Sequence, residues 1–180
     1  TAARVPDAEG DSETARHLSI DTKNRAENVM IVDLLRNDLS RLSRVGSVKV
    51  PKLFEIESYP TLHQMTSTVT AELHPNLSLR DIFAGLFPCG SVTGAPKIRA
   101  MQLIDEFELY NRNAYSGTLG YINSNTEFEL NVLIRSIFYN EEAKYLSFSV
   151  GSAITATCNA EEEYEECMLK AKAMMQVLGC

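Results

Sequence analysis

The spacing of apolar and polar residues predicts a chain that mixes helices with strands. Apolar residues recur at helical spacing over residues 21–43 and again over residues 160–178, which predicts two amphipathic helices. A shorter helix, capped by Asn76 or Ser78, is expected over residues 77–86. A further helix is expected to follow a loop and end near Phe107. Residues 1–19 are polar and predict turns.

Segments rich in β-branched and aromatic residues predict strands between these helices. They cover residues 47–59 (interrupted by Pro51), 63–73, 115–122, 127–139 and 144–154. Because helices and strands do not alternate regularly, the pattern favours an α+β fold. The chain has 180 residues, enough for one domain with a substantial core, and we assign residues 1–180 to one domain.

Composition narrows the classes of partner. The chain carries 24 acidic and 17 basic residues, a net charge of −7, which argues against a nucleic-acid surface. It lacks a run of roughly 18 apolar residues, so we expect no membrane partner. Residues 1–11 contain no apolar core of a signal peptide. The four cysteines lack zinc-site spacing, and free thiols in a reducing cytoplasm are expected, namely Cys89, Cys158, Cys167 and Cys180.

Two charged residues interrupt apolar patterns. Glu27 precedes Ile31 by four positions, which places it on the apolar stripe of its helix. There it is either paired or metal-bound, or it turns out to water. Arg135 lies in a predicted strand that is apolar on both faces and therefore buried on both sides. Its partner would be an internal carboxylate or the carboxylate of a substrate.

The loop over residues 91–97 is a candidate anion site. Thr93 is a suitable N-cap, and Gly94, Ala95 and Pro96 would form the first helical turn. Free N–H groups at a helix start, together with the hydroxyls of Ser91 and Thr93, can bind an anion. A plain capped helix is the alternative.

The last predicted helix begins with an acidic run. Glu163 and Glu166 share one face of it, with Lys170 one turn further along. Two carboxylates on one face suit Mg²⁺. Alternatively, they only favour the positive end of the helix. A lone histidine, His63, opens a predicted strand and is either structural or functional.

Several long segments, in the same order, resemble the chorismate-utilising enzymes. They are residues 26–38, 50–57, 63–65, 87–97, 115–117, 134–135 and 163–166. The resemblance implies a layered sandwich of antiparallel-rich sheets with outer helices, here incomplete. It also implies a Mg²⁺-dependent reaction of chorismate.

The resemblance further implies a role for individual residues. Glu27 and Glu166 would bind Mg²⁺, and Glu163 would bind it through water. Catalytic roles would fall to His63 near the departing hydroxyl or the ring, to Thr93 beside the ring, and to Lys170 near the metal carboxylates. The remaining positions would bind substrate, at the ring (Ser91, Gly94, Ala95) and at a carboxylate (Tyr115, Arg135, Gly151).

Segments 50–57 and 63–65 are most similar to the p-aminobenzoate branch of this family. That branch aminates chorismate at C4 with ammonia from a glutamine amidotransferase partner. Its nucleophilic lysine would lie two residues before Thr1, and the anthranilate branch has alanine there. The anthranilate branch remains an alternative, as does a non-catalytic fragment of the fold. One departure from the family is Ser152-Ala153, where a glycine-rich turn is common.

Overall fold

The computed structural model describes residues 1–124, 127–156 and 158–179. It confirms an α+β fold built from five α-helices and seven strands in the described ranges. In chain order these are β1 (Ala2–Ala3), α1 (Ala8–Ile20), α2 (Thr22–Ser40), β2 (Lys49–Ser58), β3 (Leu62–Thr70), α3 (Leu79–Leu86), α4 (Lys97–Phe107), β4 (Thr118–Ile122), β5 (Phe128–Val132), β6 (Ile137–Asn140), β7 (Tyr145–Phe148) and α5 (Ala160–Leu178).

The chain divides into two compact units, Thr1–Phe107 and Glu108–Cys180. The assignment of the whole chain to one domain stays a prediction. No helix in the described ranges is both long enough and apolar enough to cross a membrane. Cys89, Cys158 and Cys167 are free thiols, and Cys180 lies outside the described residues.

The first unit is built on an antiparallel three-stranded sheet in the order β1-β3-β2. Helix α2 packs on β3, where the Ser67 hydroxyl donates a 2.6 Å hydrogen bond to Asn28 Oδ1. The buried apolar side chains of this unit come from helices, from the sheet and from the turn after α2, namely Leu18, Val32, Leu42, Met65 and Ile82. They form the hydrophobic core that holds the sheet and helices together.

The prediction of turns over residues 1–19 was wrong, because α1 occupies Ala8–Ile20. Asp7 caps this helix by accepting a 2.7 Å hydrogen bond from the Gly10 N–H, and acidic residues fill the first turn. These are favourable interactions at a helix start. Leu18 is the one apolar residue of this helix that is buried. The helix therefore lacks the stripe of apolar residues from which an amphipathic helix is predicted.

Strand β2 runs on through Pro51, with register irregularities against β3 between Lys49 and Lys52 and again up to Glu55. A proline is tolerated there because a bulged ladder does not require every N–H. The short helix α3 begins as predicted. Ser78 and Asp81 form a reciprocal capping box at its start.

The second unit contains two antiparallel hairpins, β4-β5 and β6-β7, followed by α5. Helix α5 has the predicted bounds and is capped by Asn159. The single strand expected over residues 127–139 was wrong, because it is two strands. Arg135 lies between them, and its backbone has a positive φ of 53°, which is uncommon for residues other than glycine. Arg135 is therefore exposed and is not buried on both faces of a sheet.

Candidate active site

The first turns of α5 carry a group that we call the carboxylate face: Glu163, Glu166 and Lys170. Lys170 Nζ lies 2.5 Å from Glu166 Oε1 and donates a 3.0 Å hydrogen bond to the carbonyl oxygen of Gly151. Glu163 is half-buried, and its Oε2 accepts a hydrogen bond from the Ser152 hydroxyl. The segment that precedes α5 is thus tied to the carboxylate face at two neighbouring residues.

Three residues predicted to bind a substrate carboxylate lie beside this face. Arg135 Nη1 donates a 3.4 Å hydrogen bond to the carbonyl oxygen of Lys170. The Tyr115 hydroxyl approaches Gly151 so closely that a Cβ there would lie 3.0 Å from it. A larger residue than glycine would push that hydroxyl away. In the second unit, contacts therefore link five of the six predicted site residues, and Glu163 joins them through Ser152, the neighbour of Gly151.

Two residues near this group were not predicted. Ser152 holds Glu163, and Arg112 stacks 6.0 Å above the ring of Tyr115. Arg112 also pairs with Glu108 at 2.5 Å. That carboxylate, through its hydrogen bond, raises the pKa of Arg112. No sequence signal pointed to either contact, because Glu108 and Arg112 follow the end of α4 and their i,i+4 spacing has no helical meaning there.

The carboxylate face can be tested against the needs of Mg²⁺. This ion takes one or two carboxylates plus water and substrate oxygens, so Glu163 and Glu166 fit as donors. Within the described ranges, no group of three or more His, Cys, Asp or Glu side chains could hold a metal by itself. Glu27, the third predicted ligand, belongs to the first unit. The joint metal role of the three residues therefore stays a prediction.

Glu27 lies on α2 and is exposed. The buried face of this helix passes through Asn28 and Val32, which are one turn apart and meet the sheet. Glu27 is offset from that face by one residue, or about 100° around the helix. The placement of Glu27 on the buried stripe of its helix was therefore wrong, whereas its role as a metal ligand stays a prediction.

The loop before α4 differs from its prediction. Helix α4 begins at Lys97, and the Thr93 hydroxyl donates backwards to the carbonyl oxygen of Cys89 (3.0 Å). Thr93 as the N-cap, with Gly94, Ala95 and Pro96 in the first turn, was thus wrong. Pro96 disfavours helical backbone at Ala95, so the helix starts after the proline.

The side chains of this loop nevertheless stay available. Ser91 and Ala95 are exposed, Thr93 and Gly94 are half-buried, and Gly94 has a φ of 148° that favours glycine. Their proposed contacts with a ring stay predictions.

An unpredicted ion pair anchors the loop to α2. Lys97 Nζ lies 2.6 Å from Asp38 Oδ2, and only 17% and 9% of these side chains are exposed. Gly90 also lies close to α2. A Cβ at this position would lie 3.0 Å from the side chain of Leu34. The loop is therefore fixed against α2 by a buried charge pair and a close backbone contact. No sequence signal linked Asp38 to Lys97, since 59 residues separate them.

His63 is buried, with 3% of its surface exposed. Its Nε2 lies 3.0 Å from Asp11 Oδ1 and its Nδ1 lies 2.8 Å from the Ser58 hydroxyl. Hydrogen bonding to Arg4 lowers the pKa of Asp11 to about 2, so this carboxylate is an acceptor and His63 Nε2 carries the proton. Both ring nitrogens are engaged inside the first unit. These contacts favour the structural alternative, and a catalytic role for His63 stays a prediction.

Comparison with known proteins decides the family. The chorismate binding enzyme family matches residues 1–176 of this chain. The chain belongs to the chorismate-binding enzymes.

Relatives within this family are similar over almost the whole chain. Aminodeoxychorismate synthase component 1 of Salmonella typhimurium is 42% identical over 178 residues, which are 99% of this chain and 39% of that protein. The probable chloroplastic aminodeoxychorismate synthase of Oryza sativa subsp. japonica is 44% identical, over 99% of this chain and 20% of that protein.

A solved structure shows the fold. The crystal structure of anthranilate synthase component I from Streptococcus pneumoniae matches with a TM-score of 0.80 and 34% identity, over 96% of this chain and 41% of that one. This likeness confirms the anthranilate synthase-like fold that the resemblance implied. The chain spans about two fifths of the length of this relative and of the Salmonella one.

Proposed function

We propose that this chain is the C-terminal part of aminodeoxychorismate synthase component I. The whole protein would convert chorismate and ammonia to 4-amino-4-deoxychorismate for p-aminobenzoate and folate synthesis. A glutamine amidotransferase subunit or domain would supply the ammonia, and the protein would work in the cytoplasm. Relatives with this name, at 42% and 44% identity over nearly the whole chain, support the branch.

One observation supports a chorismate site best: a cation and a carboxylate pair lie together in the second unit. Arg135 contacts the backbone of Lys170, the residue that pairs with Glu166. A guanidinium suits a substrate carboxylate in a bidentate arrangement. Arg135 thus offers one carboxylate of the substrate a direct cationic partner. The carboxylate pair offers a place for a metal that binds the other carboxylate.

We assign roles to the residues of this chain accordingly. Glu163 and Glu166, with Glu27, would hold Mg²⁺, which when bound neutralises the ring carboxylate and withdraws electron density from the ring. Arg135 binds the second carboxylate of the substrate. The Tyr115 hydroxyl, which lies close to Gly151, limits the position of that carboxylate.

Other residues would support these groups. Lys170 keeps Glu166 oriented through the 2.5 Å ion pair. Ser91, Thr93, Gly94 and Ala95 would flank the ring, and His63 would act near the departing hydroxyl.

The test uses both the full-length protein and this chain. Each is incubated with chorismate, Mg²⁺ and an ammonium salt, and the product is identified by mass. We expect 4-amino-4-deoxychorismate from the full-length protein. Anthranilate as the product would overturn the branch assignment and favour the second candidate function, that of an anthranilate synthase. The 34% identical solved relative supports this second candidate. Turnover by the parent alone would mean that this chain is a non-catalytic fragment.

Two substitutions in the full-length protein test the site. Glu166→Gln removes a metal donor and should abolish Mg²⁺-dependent turnover. Arg135→Lys keeps the charge but loses the planar fork, and should raise KM for chorismate about tenfold or more. The matched control is Arg99→Lys, because Arg99 is exposed on α4. Normal kinetics in Glu166→Gln or Arg135→Lys would remove that residue from the site.

A further inference from the structure

Ser152 has no role in the function proposed above, yet it contacts that site directly. It follows Gly151 and precedes the start of α5 by eight residues. Its side chain is half-buried, and its hydroxyl donates to Glu163 Oε2 across eleven positions of sequence. The contact therefore joins the segment before α5 to one chosen carboxylate.

The hydrogen bond has a specific consequence for Glu163. A glutamate side chain has several rotatable bonds, and a free one would sample many positions. An ionised carboxylate has about four acceptor sites on its two oxygens. Ser152 uses one site on Oε2 and leaves Oε1 available. The bond thus fixes the direction of the carboxylate without using up its capacity for water or a cation.

The other carboxylate of this face is held differently. Glu166 is fixed by Lys170, whose Nζ also donates to the carbonyl oxygen of Gly151. Consecutive residues, Gly151 and Ser152, therefore set the positions of the two acidic side chains. The first acts through its backbone and the second through its hydroxyl. Only the second depends on the identity of the side chain, so only it can be removed by substitution.

We propose that Ser152 is a positioning residue that orients Glu163 toward a divalent cation. The proposal rests on the proposed function, because it takes Glu163 to face the metal. Partners that orient metal-binding carboxylates commonly alter metal affinity when they are removed. A serine that only fastened the loop to α5 would affect stability and leave cation affinity unchanged. Cation affinity and thermal stability therefore separate the two roles.

The experiment measures Mn²⁺ binding to the full-length protein by electron paramagnetic resonance, without chorismate. Ser152→Ala should weaken binding about tenfold or more, the value of one charge-assisted hydrogen bond. Ser152→Thr keeps the hydroxyl and should stay within about twofold of the unsubstituted protein. Ser40→Ala is the matched control, because its hydroxyl makes only a local 2.7 Å bond to the Asn37 carbonyl oxygen on α2.

The outcomes distinguish this inference from the proposed function. If Glu163→Gln binds Mn²⁺ normally, or if the unsubstituted protein binds none, the metal role of Glu163 fails and the inference fails with it. If Glu163→Gln weakens binding but Ser152→Ala does not, the inference alone is overturned.

A last variant guards against misfolding. Should Ser152→Ala lower the melting temperature by more than a few degrees, Ser152→Cys provides a near-isosteric side chain with a weak donor. It should bind Mn²⁺ less tightly than Ser152→Thr. Equal affinity in these two variants would overturn the inference.

Discussion

Gly85 in α3 offers the sharpest test of how the first unit is packed. A Cβ placed there would lie 2.7 and 2.9 Å from the two methyl carbons of Leu42 and 3.0 Å from its Cγ. Alanine in a helix is normally more favourable than glycine by about 1 kcal/mol. Overpacking a core costs about 1–3 kcal/mol, and Leu42 is 6% exposed, which leaves it little room to move. The difference between these two terms leads us to expect that Gly85→Ala destabilises this unit by up to about 2 kcal/mol.

A double-mutant cycle tests whether Leu42 is the cause. Leu42→Ala alone should cost about 2–5 kcal/mol, because it opens a cavity beside Gly85. In the double variant the new methyl group enters that space, so the clash disappears. The combined cost should be smaller than the sum of the single costs by about 1–3 kcal/mol.

The measurement must report on the first unit separately, because two compact units need not unfold together. Pulsed hydrogen exchange at increasing urea concentration does this, with peptides from α3 for the first unit and from α5 for the second. Ala84→Gly on the exposed face of the same helix gives the propensity term alone, about 1 kcal/mol. Additive costs in the cycle, or a more stable Gly85→Ala variant, would refute the reasoning.

Three further predictions follow from buried charge and close packing. The hydrogen bond from Arg4 lowers the pKa of Asp11 to about 2, below the value of about 3.9 in an unfolded chain. The contribution of Asp11 to the stability of the folded chain is therefore complete above about pH 4 and disappears as the pH falls toward 2. Asp11→Asn should flatten this dependence of stability on pH, as measured by urea titrations. Lys97→Met should cost about 3 kcal/mol in urea unfolding, because it leaves the buried Asp38 without its ion-pair partner. Gly120→Ala should destroy the β4-β5 hairpin, seen as lost exchange protection, because a Cβ there overlaps backbone of the paired strand.

The first two of these predictions have a matched comparison variant, and the third has a contradicting outcome. The hydrogen bond from Arg16 also lowers the pKa of Glu13 to about 2, but Glu13 is exposed. Glu13→Gln should therefore flatten the dependence of stability on acidic pH less than Asp11→Asn does. Arg36→Met breaks the exposed pair with Asp33 and should cost less than about 1 kcal/mol. Equal costs for Arg36→Met and Lys97→Met would contradict the role given to burial. A protected β4 in Gly120→Ala would show that the hairpin can shift.

Local signals predicted those elements whose stability is local. Helix α5 has its predicted bounds because an asparagine cap and a long run of helix-forming residues define it from within. The cap of α3 at Ser78 was one of two candidates, and Asp81 decides between them by returning a hydrogen bond. The six site residues of the second unit were identified by resemblance; the structure links five of them by contacts and reaches Glu163 through Ser152.

Other features depend on contacts that no local pattern contains. Helix α1 is fastened by Asp11, which bonds to His63 from 52 positions away and to Arg4. Because few residues of this helix are apolar, the sequence pattern predicted turns there. Thr93 carries the right side chain for an N-cap, yet the proline three residues later moves the helix start beyond its reach. In each case a distant or following residue decides the structure.

Arg135 shows what such a conflict can mean at the candidate active site. Residues 130–139 have the apolar pattern of one strand, but a left-handed residue divides them into β5 and β6. A non-glycine residue in that region costs roughly 1 kcal/mol or more, and it persists only where surrounding contacts compensate. Strained backbone of this kind occurs often at binding sites. The break gives up strand pairing and brings the guanidinium to the carbonyl oxygen of Lys170, beside the carboxylate face. The same residue that interrupts the strand pattern is therefore the cation that we propose for the chorismate site.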